Sequence, residues 1–321
     1  MRFYTNVQMI GNQFLVRGYD NGQHVMFREE YSPTLFVPSK KKTNHKTLEG
    51  DFVEPVKPGL VRDCKEFINK YQDVDGFSIY GNERFTYQYI SDKYPETEIK
   101  FDTSKIKLVT LDIEVAAENG FPDTESCSEE ILTITIQDYN TKKIITWGVK
   151  PFNNTQSNVT YHECTSEHHL LSSFMSFWTN DYPEVITGWN IQFYDIPYIC
   201  GRLGKVLGEK QRRMFSPWGM VTYREMFVHG RKQIFYEVNG ISQLDYLDLY
   251  KKFTYKAQES YRLDHIASVE LGQKKLDHSE FDTFKDFYTQ NWQKFVEYNI
   301  IDVELVDRLE DKMKLIELAL T

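Results

Sequence analysis

The chain has 321 residues, of which 40% are hydrophobic and 26% charged, and its formal net charge is −9. A chain of this length predicts two domains, each large enough to bury its own core. The negative charge argues against a general electrostatic clamp on nucleic acid, although a local basic track is compatible with it. The four cysteines are too dispersed for a zinc ribbon or a disulfide framework, and no apolar run is long enough to span a membrane. These features predict a soluble protein that stays in the cell that makes it.

The first hundred residues predict a small β-rich α+β domain. Alternating apolar and polar residues predict strands at 3–9, 13–19, 24–30 and 34–37. The segment Asp20-Asn21-Gly22 is typical of a hairpin turn, and apolar residues at helical spacing predict a helix over 61–71. The basic segment 39–46 favours an exposed loop over a nucleic-acid contact. Nothing in this part of the chain indicates catalysis.

From about Lys105 the pattern changes to that of a mixed sheet flanked by helices. Strands are predicted at 106–115, 131–138, 143–149, 184–187 and 244–250. Helices are predicted at 166–179, at 196–207, after an N-cap at Ser260, and at about 290–318. Residues 221–228 and 233–238 predict a long hairpin whose tip, His229-Gly230-Arg231-Lys232, is polar and basic.

Asp112 and Glu114 stand at the C-terminal end of the first of these strands. Because side chains alternate along a strand, both carboxylates point to one face, with their Cα atoms about 6–7 Å apart. Two carboxylates side by side in a partly buried place repel each other unless one is protonated or divalent cations lie between them. Hard oxygen ligands on a rigid strand suit a metal-dependent nuclease. Two solvated acids at a strand end are the alternative, and further acids in the chain decide between the two.

Two later segments supply such acids. Asn190 lies in a turn that leaves a predicted strand, and Asp195 follows it five residues later, just before a predicted helix. Tyr298 and Asp302 are four residues apart on the last helix, which places them on one face of it. Taken singly, Asp195 is also explained as a helix N-cap and Asp302 as a surface acid.

The order D-x-E, then N-x-x-x-[FY]-D, then Y-x-x-x-D resembles the three exonuclease motifs of the DEDD proofreading nucleases, in the variety with tyrosine in the third motif. The whole chain is also similar to the front third of a family B replicative DNA polymerase of the T-even phage type. The segments that carry this similarity are 112–114, 120–122, 187–190, 248–253, 260–261 and 298–303. The polymerase motifs of that family are absent, which indicates a fragment or one part of a split polymerase.

The resemblance implies an α/β, ribonuclease-H-like 3′→5′ exonuclease domain over residues 105–321, after an N-terminal domain over 1–104. It implies that two Mg²⁺ or Mn²⁺ ions are held by Asp112, Glu114, Asp195 and Asp302. It also implies that Tyr298 orients the attacking water, because a phenol is too weak a base near neutral pH to do more. A core tyrosine is the alternative for Tyr298.

Contacts with DNA are less determined by the sequence. Phe121 either stacks on a splayed 3′ base or packs within the protein. Asn190 either bonds to substrate or closes its turn. Arg231, Lys232 and Lys251 either follow the DNA backbone or are simply solvated.

The resemblance further implies that the substrates are a single-stranded DNA 3′ end and primer–template DNA, and that a polymerase domain is a partner. The place of action would be the cytoplasm of an infected bacterial host. Two alternatives remain open at this point. One is a free-standing exoribonuclease of the same chemistry, and the other is a non-catalytic nucleic-acid-binding protein that regulates translation. The presence of all four carboxylates counts against the second.

Overall fold

A computed structural model of the chain contains two compact units, Met1–Thr103 and Ser104–Thr321. The structure describes residues 2–81, 83–95, 101–118, 120–228, 231–273 and 279–320, and of residues 228, 231 and 232 it describes only the main chain. Within these residues, no helix combines the length and the apolar character needed to cross a membrane.

In its described residues, the first unit contains two small antiparallel sheets and two helices. Its elements are β1 (Arg2–Ile10), β2 (Gln13–Asp20), β3 (Gln23–Glu30), β4 (Leu35–Pro38), β5 (His45–Lys46), β6 (Phe52–Val56), α1 (Val61–Tyr71) and α2 (Phe85–Lys93). The strands β1, β2 and β3 form one sheet, and β4, β6 and β5 form the other. The predicted strands and the predicted helix at 61–71 are confirmed, whereas α2 was not predicted. Phe14, Tyr31 and Tyr89 pack their rings together in the core.

The second unit is built on a mixed sheet with helices. Its strands are β7 (Leu108–Val115), β8 (Ile131–Asp138), β9 (Ile144–Gly148), β10 (Val159–Glu163), β11 (Val185–Gly188), β12 (Val221–Val228), β13 (Arg231–Val238) and β14 (Ser242–Asp245). Its helices are α3 (Glu167–Asn180), α4 (Asp195–Arg202), α5 (Glu209–Arg213), α6 (Tyr246–Phe253), α7 (Leu263–Leu271), α8 (Phe284–Gln290), α9 (Trp292–Met313) and α10 (Leu315–Leu320), with a π-helical turn at Leu203–Leu207.

The strand order of the large sheet in the described residues is β10-β9-β8-β7-β11-β14, and β12 pairs with β13 as a separate hairpin. Strand β7 pairs antiparallel with β8 and parallel with β11, which in turn pairs parallel with β14. The carboxyl ends of β7, β11 and β14 therefore meet at one edge, where ligands of such sheets gather. This architecture confirms the predicted mixed α/β fold class.

Three predictions of local structure are wrong. The strand predicted over 244–250 ends at Asp245, because the Asp245 carboxylate accepts the Leu247 amide hydrogen and caps helix α6. Ser260 does not cap α7, whose N-cap is Arg262. The last helix does not continue to Leu318 unbroken, because Lys314 takes a left-handed conformation with φ of 57° between α9 and α10.

Candidate metal and nuclease site

Strand β7 carries the first two acids of the site. Asp112 and Glu114 are half-buried, while the intervening Ile113 and the preceding Leu111 are fully buried in the core below the sheet. This alternation is the period of two that a strand imposes on its side chains. The register pairs Asp112 with Thr135 and Glu114 with Thr133 of β8.

Helix α9 brings the third acid to the same place. It packs against β7 and β8, and Asp302 is buried on it with only 5% of its surface exposed. One carboxylate oxygen each from Asp112, Glu114 and Asp302 lies within 4.8 Å of the others. We call these three residues the acidic cluster. Carboxylate oxygens at this spacing are suitable ligands for Mg²⁺ or Mn²⁺.

Tyr298 lies one turn before Asp302 on α9. It is 9% exposed and its ring meets that of Phe287 edge-on, with 5.7 Å between centroids. Packing with Phe287 of α8 therefore fixes the ring one turn before Asp302, on the same face of α9. The core role and the proposed role of the hydroxyl are compatible, since the same ring contact fixes the phenol in place.

Asp195 lies beside the acidic cluster and is anchored to β7. It is the first residue of α4, is 3% exposed, and accepts a hydrogen bond from the Ile113 amide, with 3.0 Å between N and Oδ1. Burial raises the pKa of the Asp195 carboxyl to about 8, and the charges of Asp245 and Asp302 add to this rise, whereas two backbone amides oppose it. A buried carboxyl in such a field has a strong electrostatic preference for a nearby cation.

The turn that leads to Asp195 is closed by its own backbone and by Asp245. A side chain at Gly188 would clash with the Leu111 carbonyl oxygen, which explains the glycine. Asn190 has φ of 65°, a conformation that asparagine tolerates. The amides of Asn190 and Gln192 each donate to Asp245, at 3.0 Å. These bonds fit the turn-closing alternative for Asn190, and a contact of its side chain with substrate stays a prediction.

A comparison with known protein families decides the family to which the chain belongs. The sequence model described as "DNA polymerase family B, exonuclease domain" matches residues 77–266, more than half of the chain. The chain belongs to this family. Membership implies a nuclease with a ribonuclease-H-like fold, and exonuclease domains of this kind use divalent metal ions.

The relatives of this family B exonuclease domain include phage and herpesvirus polymerases. The chain is 30% identical to the DNA-directed DNA polymerase of Escherichia phage RB69, over 99% of this chain and 38% of that protein. Identity and coverage are the same for the DNA-directed DNA polymerase of Enterobacteria phage T4. The DNA polymerase catalytic subunit of Human herpesvirus 6A (strain Uganda-1102) is 29% identical over 52% of this chain and 17% of its own length. The chain thus spans less than two fifths of the phage relatives that it matches.

The residues predicted to contact DNA in this exonuclease domain are only partly described. Phe121 is 86% exposed and its ring lies 5.3 Å from that of Tyr194, the residue before Asp195. The Lys251 ammonium lies over the Tyr261 ring, 5.2 Å from its centroid. The tip of the β12–β13 hairpin, with the side chains of Arg231 and Lys232, lies outside the described residues.

Two residues that hold the site were not predicted from the sequence. Asn299, the neighbour of Tyr298 on α9, donates from Nδ2 to Asp112 Oδ2 at 2.6 Å. Asp245 orders the turn before Asp195. Asn299 lies within the third motif, next to Tyr298, but the sequence does not show that it bonds to Asp112. That contact is seen only once α9 packs on β7. Asp245 gave no signal, because it lies inside the segment that was wrongly predicted as a continuous strand.

Proposed function

We propose that this exonuclease domain hydrolyses the 3′-terminal phosphodiester of DNA and releases deoxynucleoside monophosphates, as a proofreading nuclease of the DEDD type with a tyrosine in its third motif. The observation that carries the proposal is the convergence of Asp112, Glu114 and Asp302 within 4.8 Å, with Asp195 bonded to the same strand. Strand β7 and helices α4 and α9 supply these acids from three distant parts of the sequence. Such convergence is not expected of a chance group of surface acids.

The donor set fits divalent cations. We propose that Asp112, Glu114, Asp195 and Asp302 hold two Mg²⁺ or Mn²⁺ ions, because carboxylate oxygens are their preferred protein ligands. Such ions, when bound, acidify a water molecule and neutralise the charge that develops on the phosphate. The protein keeps the carboxylates on rigid elements, so that no reorganisation is needed when the phosphate enters.

The remaining groups bind and orient the substrate in this proposal. The Tyr298 hydroxyl, fixed by the ring of Phe287, would orient the attacking water by a hydrogen bond. The exposed ring of Phe121 would stack on a terminal base, with Tyr194 as its support. Lys251 would meet the phosphate backbone of the strand.

We also propose that the module works with a polymerase domain on primer–template DNA, in the cytoplasm of a phage-infected bacterium. Its support is the likeness to two phage polymerases along nearly the whole chain.

A direct assay tests the proposed activity. A single-stranded DNA oligonucleotide labelled at its 5′ end should be shortened stepwise from the 3′ end with Mg²⁺ or Mn²⁺, and EDTA should stop the reaction. The same oligonucleotide with a label at its 3′ end should release the label as a mononucleotide in the first step. Release of the label in longer fragments would indicate an endonuclease and contradict the proposal.

Metal binding should also stabilise the fold. An ion that binds only the folded chain, at a free concentration of about 100 times its dissociation constant, adds about 2.7 kcal/mol of stability. For a unit of this size, this corresponds to a rise in Tm of about 5–11 °C. We therefore expect millimolar Mn²⁺ to raise the Tm of the parent chain. Calorimetry or dye-based melting measures this, with Ca²⁺-free buffer plus EDTA as the reference. An unchanged Tm across the titration would count against a formed metal site.

The β12–β13 hairpin should assist digestion of paired ends. Its base is anchored by Tyr236 and Val238, which are buried, whereas Phe227 further out is 79% exposed. Replacing Phe227–Phe235 by a short Gly-Ser turn keeps Tyr236 and Val238 and removes Ile234, a partly buried side chain at the edge of the core, so we expect the fold to survive. We expect unchanged digestion of a free strand and slower digestion of the same strand annealed to a complement. The test measures the digestion rates of one labelled strand, free and annealed, side by side for the parent and the variant. An equal loss of rate on both substrates would mean that the hairpin serves folding or general binding.

A further inference from the structure

A row of buried polar side chains crosses the sheet and ends at Asp112. Asn299 Nδ2 donates to Asp112 Oδ2 at 2.6 Å, and Asn299 Oδ1 lies 2.5 Å from Thr135 Oγ1. Thr135 Oγ1 in turn lies 2.9 Å from Thr146 Oγ1. Asn299, Thr135 and Thr146 are each 0% exposed. The register places Asp112, Thr135 and Thr146 side by side on β7, β8 and β9, and α9 supplies Asn299 from above.

The hydrogen bonds of this row can run in only one direction when Asp112 is ionised. A carboxylate only accepts, so the NH₂ group of Asn299 must face Asp112 and its carbonyl oxygen must face Thr135. A hydroxyl carries one hydrogen, and Thr135 must use it to donate to Asn299. The Thr135 oxygen then accepts from Thr146. Every hydrogen bond of the row then has an assigned donor. The Asn299 amide is oriented by the Thr135 hydroxyl, and Thr146, two strands away from Asp112, orients that hydroxyl in turn.

We infer that Thr146, Thr135 and Asn299 are positioning residues that hold Asp112 Oδ2 and present Oδ1 as the cation ligand. This inference rests on the proposed function, because it deepens the account of the same site. A side-chain amide pins the carboxylate without adding charge, so it orders Asp112 and leaves the cluster negative. Partners that orient metal ligands in this manner change metal affinity about 10–100-fold when they are removed.

Thr135 has a specific part in this row. Without its hydroxyl, the buried Asn299 carbonyl oxygen loses its donor, so the amide is held only at its Asp112 end and no longer fixes the carboxylate in one orientation. Thr135→Val should therefore weaken metal binding although Thr135 does not touch Asp112 through a hydrogen bond in the row. Thr135→Ser keeps the hydroxyl and should behave as the parent does.

The test compares Asn299→Leu, Thr135→Val and Thr135→Ser with the parent chain. Two quantities are measured for each: the Mn²⁺ concentration that gives half-maximal digestion of a single-stranded oligonucleotide, and the rise in Tm with Mn²⁺. We expect Asn299→Leu and Thr135→Val to need at least about tenfold more Mn²⁺. Ser216→Ala is the matched control, because it removes an equally buried hydroxyl that donates to the Asn239 carbonyl at 2.6 Å.

The outcomes separate this inference from the proposed function. A parent chain that gains Tm with Mn²⁺ but digests no DNA contradicts the proposed nuclease, while the Mn²⁺ titration still tests the row. Unchanged Mn²⁺ requirements in Asn299→Leu, or equal shifts in Thr135→Val, Thr135→Ser and Ser216→Ala, would overturn the inference. If Asn299→Leu does not fold, the comparison of Thr135→Val with Thr135→Ser decides alone.

Discussion

Replacing Asp112 and Glu114 together by alanine should abolish digestion of a DNA 3′ end while the fold survives. Metal ligands in such sites supply several kcal/mol of transition-state stabilisation, so the rate should fall by a factor of about a hundred or more. Both side chains are only half-buried, so their removal opens no core cavity. Loss of the mutual repulsion in the acidic cluster should raise stability without metal, whereas loss of the acceptor of the buried Asn299 amide should cost about 1–3 kcal/mol, so the two contributions oppose each other and the fold should survive. The rate of mononucleotide release and the Tm in EDTA measure the two effects.

The control for this prediction removes the same charge elsewhere in the same unit. Glu163 and Asp282 are exposed acids outside the acidic cluster, and their double replacement by alanine also changes the net charge by two. This control should digest DNA at the parent rate and keep the rise in Tm with Mn²⁺. If the Asp112 and Glu114 double variant retains more than about a hundredth of the parent rate, these residues are not the metal ligands.

The parts of the site that the sequence predicted are those in which local periodicity fixes the geometry. Alternation along β7 placed Asp112 and Glu114 on one face, and helical spacing placed Tyr298 and Asp302 on one face of α9. Predicting that these two faces meet also required the resemblance to the DEDD nucleases. The spacing within a motif does not show which strand a helix packs against. The hairpin signal at Asp20-Asn21-Gly22 is likewise local and was confirmed.

The parts that the sequence did not predict depend on contacts between distant residues. Asn299 and Asp112 are 187 residues apart, and nothing in the local pattern distinguishes a buried amide with a carboxylate partner from one that packs. The strand predicted over 244–250 failed for a related reason. Its apolar residues suit a strand or a helix equally, and the Asp245 carboxylate, which caps α6, decides in favour of the helix. At the places where the site is held together, tertiary and capping contacts therefore decide the structure, and the periodicity of apolar residues does not predict it.

Asp245→Ala should destabilise the fold and slow digestion, although Asp245 is not a predicted ligand. Its carboxylate is 2% exposed and accepts from the amides of Asn190, Gln192 and Leu247, each at 3.0 Å. Removal leaves these amides without their acceptor, which costs about 1–3 kcal/mol for each one that stays buried. We expect the free energy of unfolding to fall by about 2–3 kcal/mol and the digestion rate to fall at least about tenfold, because the turn sets the start of α4 and so the place of Asp195.

The size of this loss should depend on pH in a defined direction. Burial raises the pKa of the Asp245 carboxyl to about 6 from the model-compound value of 3.8, and repulsion by Asp248 adds to the rise against the three amides. Because its pKa is higher in the folded chain, the Asp245 carboxyl holds its proton more tightly there than in the unfolded chain. The stability that comes from this protonation is present below about pH 4 and is lost as the pH rises through 6. The parent should therefore exceed Asp245→Ala in unfolding free energy by about 1 kcal/mol more at pH 5 than at pH 8.

Urea unfolding of both chains at the two pH values measures this difference, and Asp248→Ala provides the matched control. Asp248 is an exposed acid three residues further on, in the first turn of the same helix. Its replacement should change the unfolding free energy by no more than about 0.5 kcal/mol and leave digestion unaffected. If Asp245→Ala matches this control in stability and in rate, the three amides find water as an acceptor and the turn holds without Asp245. A loss of stability with an unchanged rate would instead show that the start of α4 is fixed without Asp245, by the backbone bonds of the turn and by the bond from the Ile113 amide to Asp195.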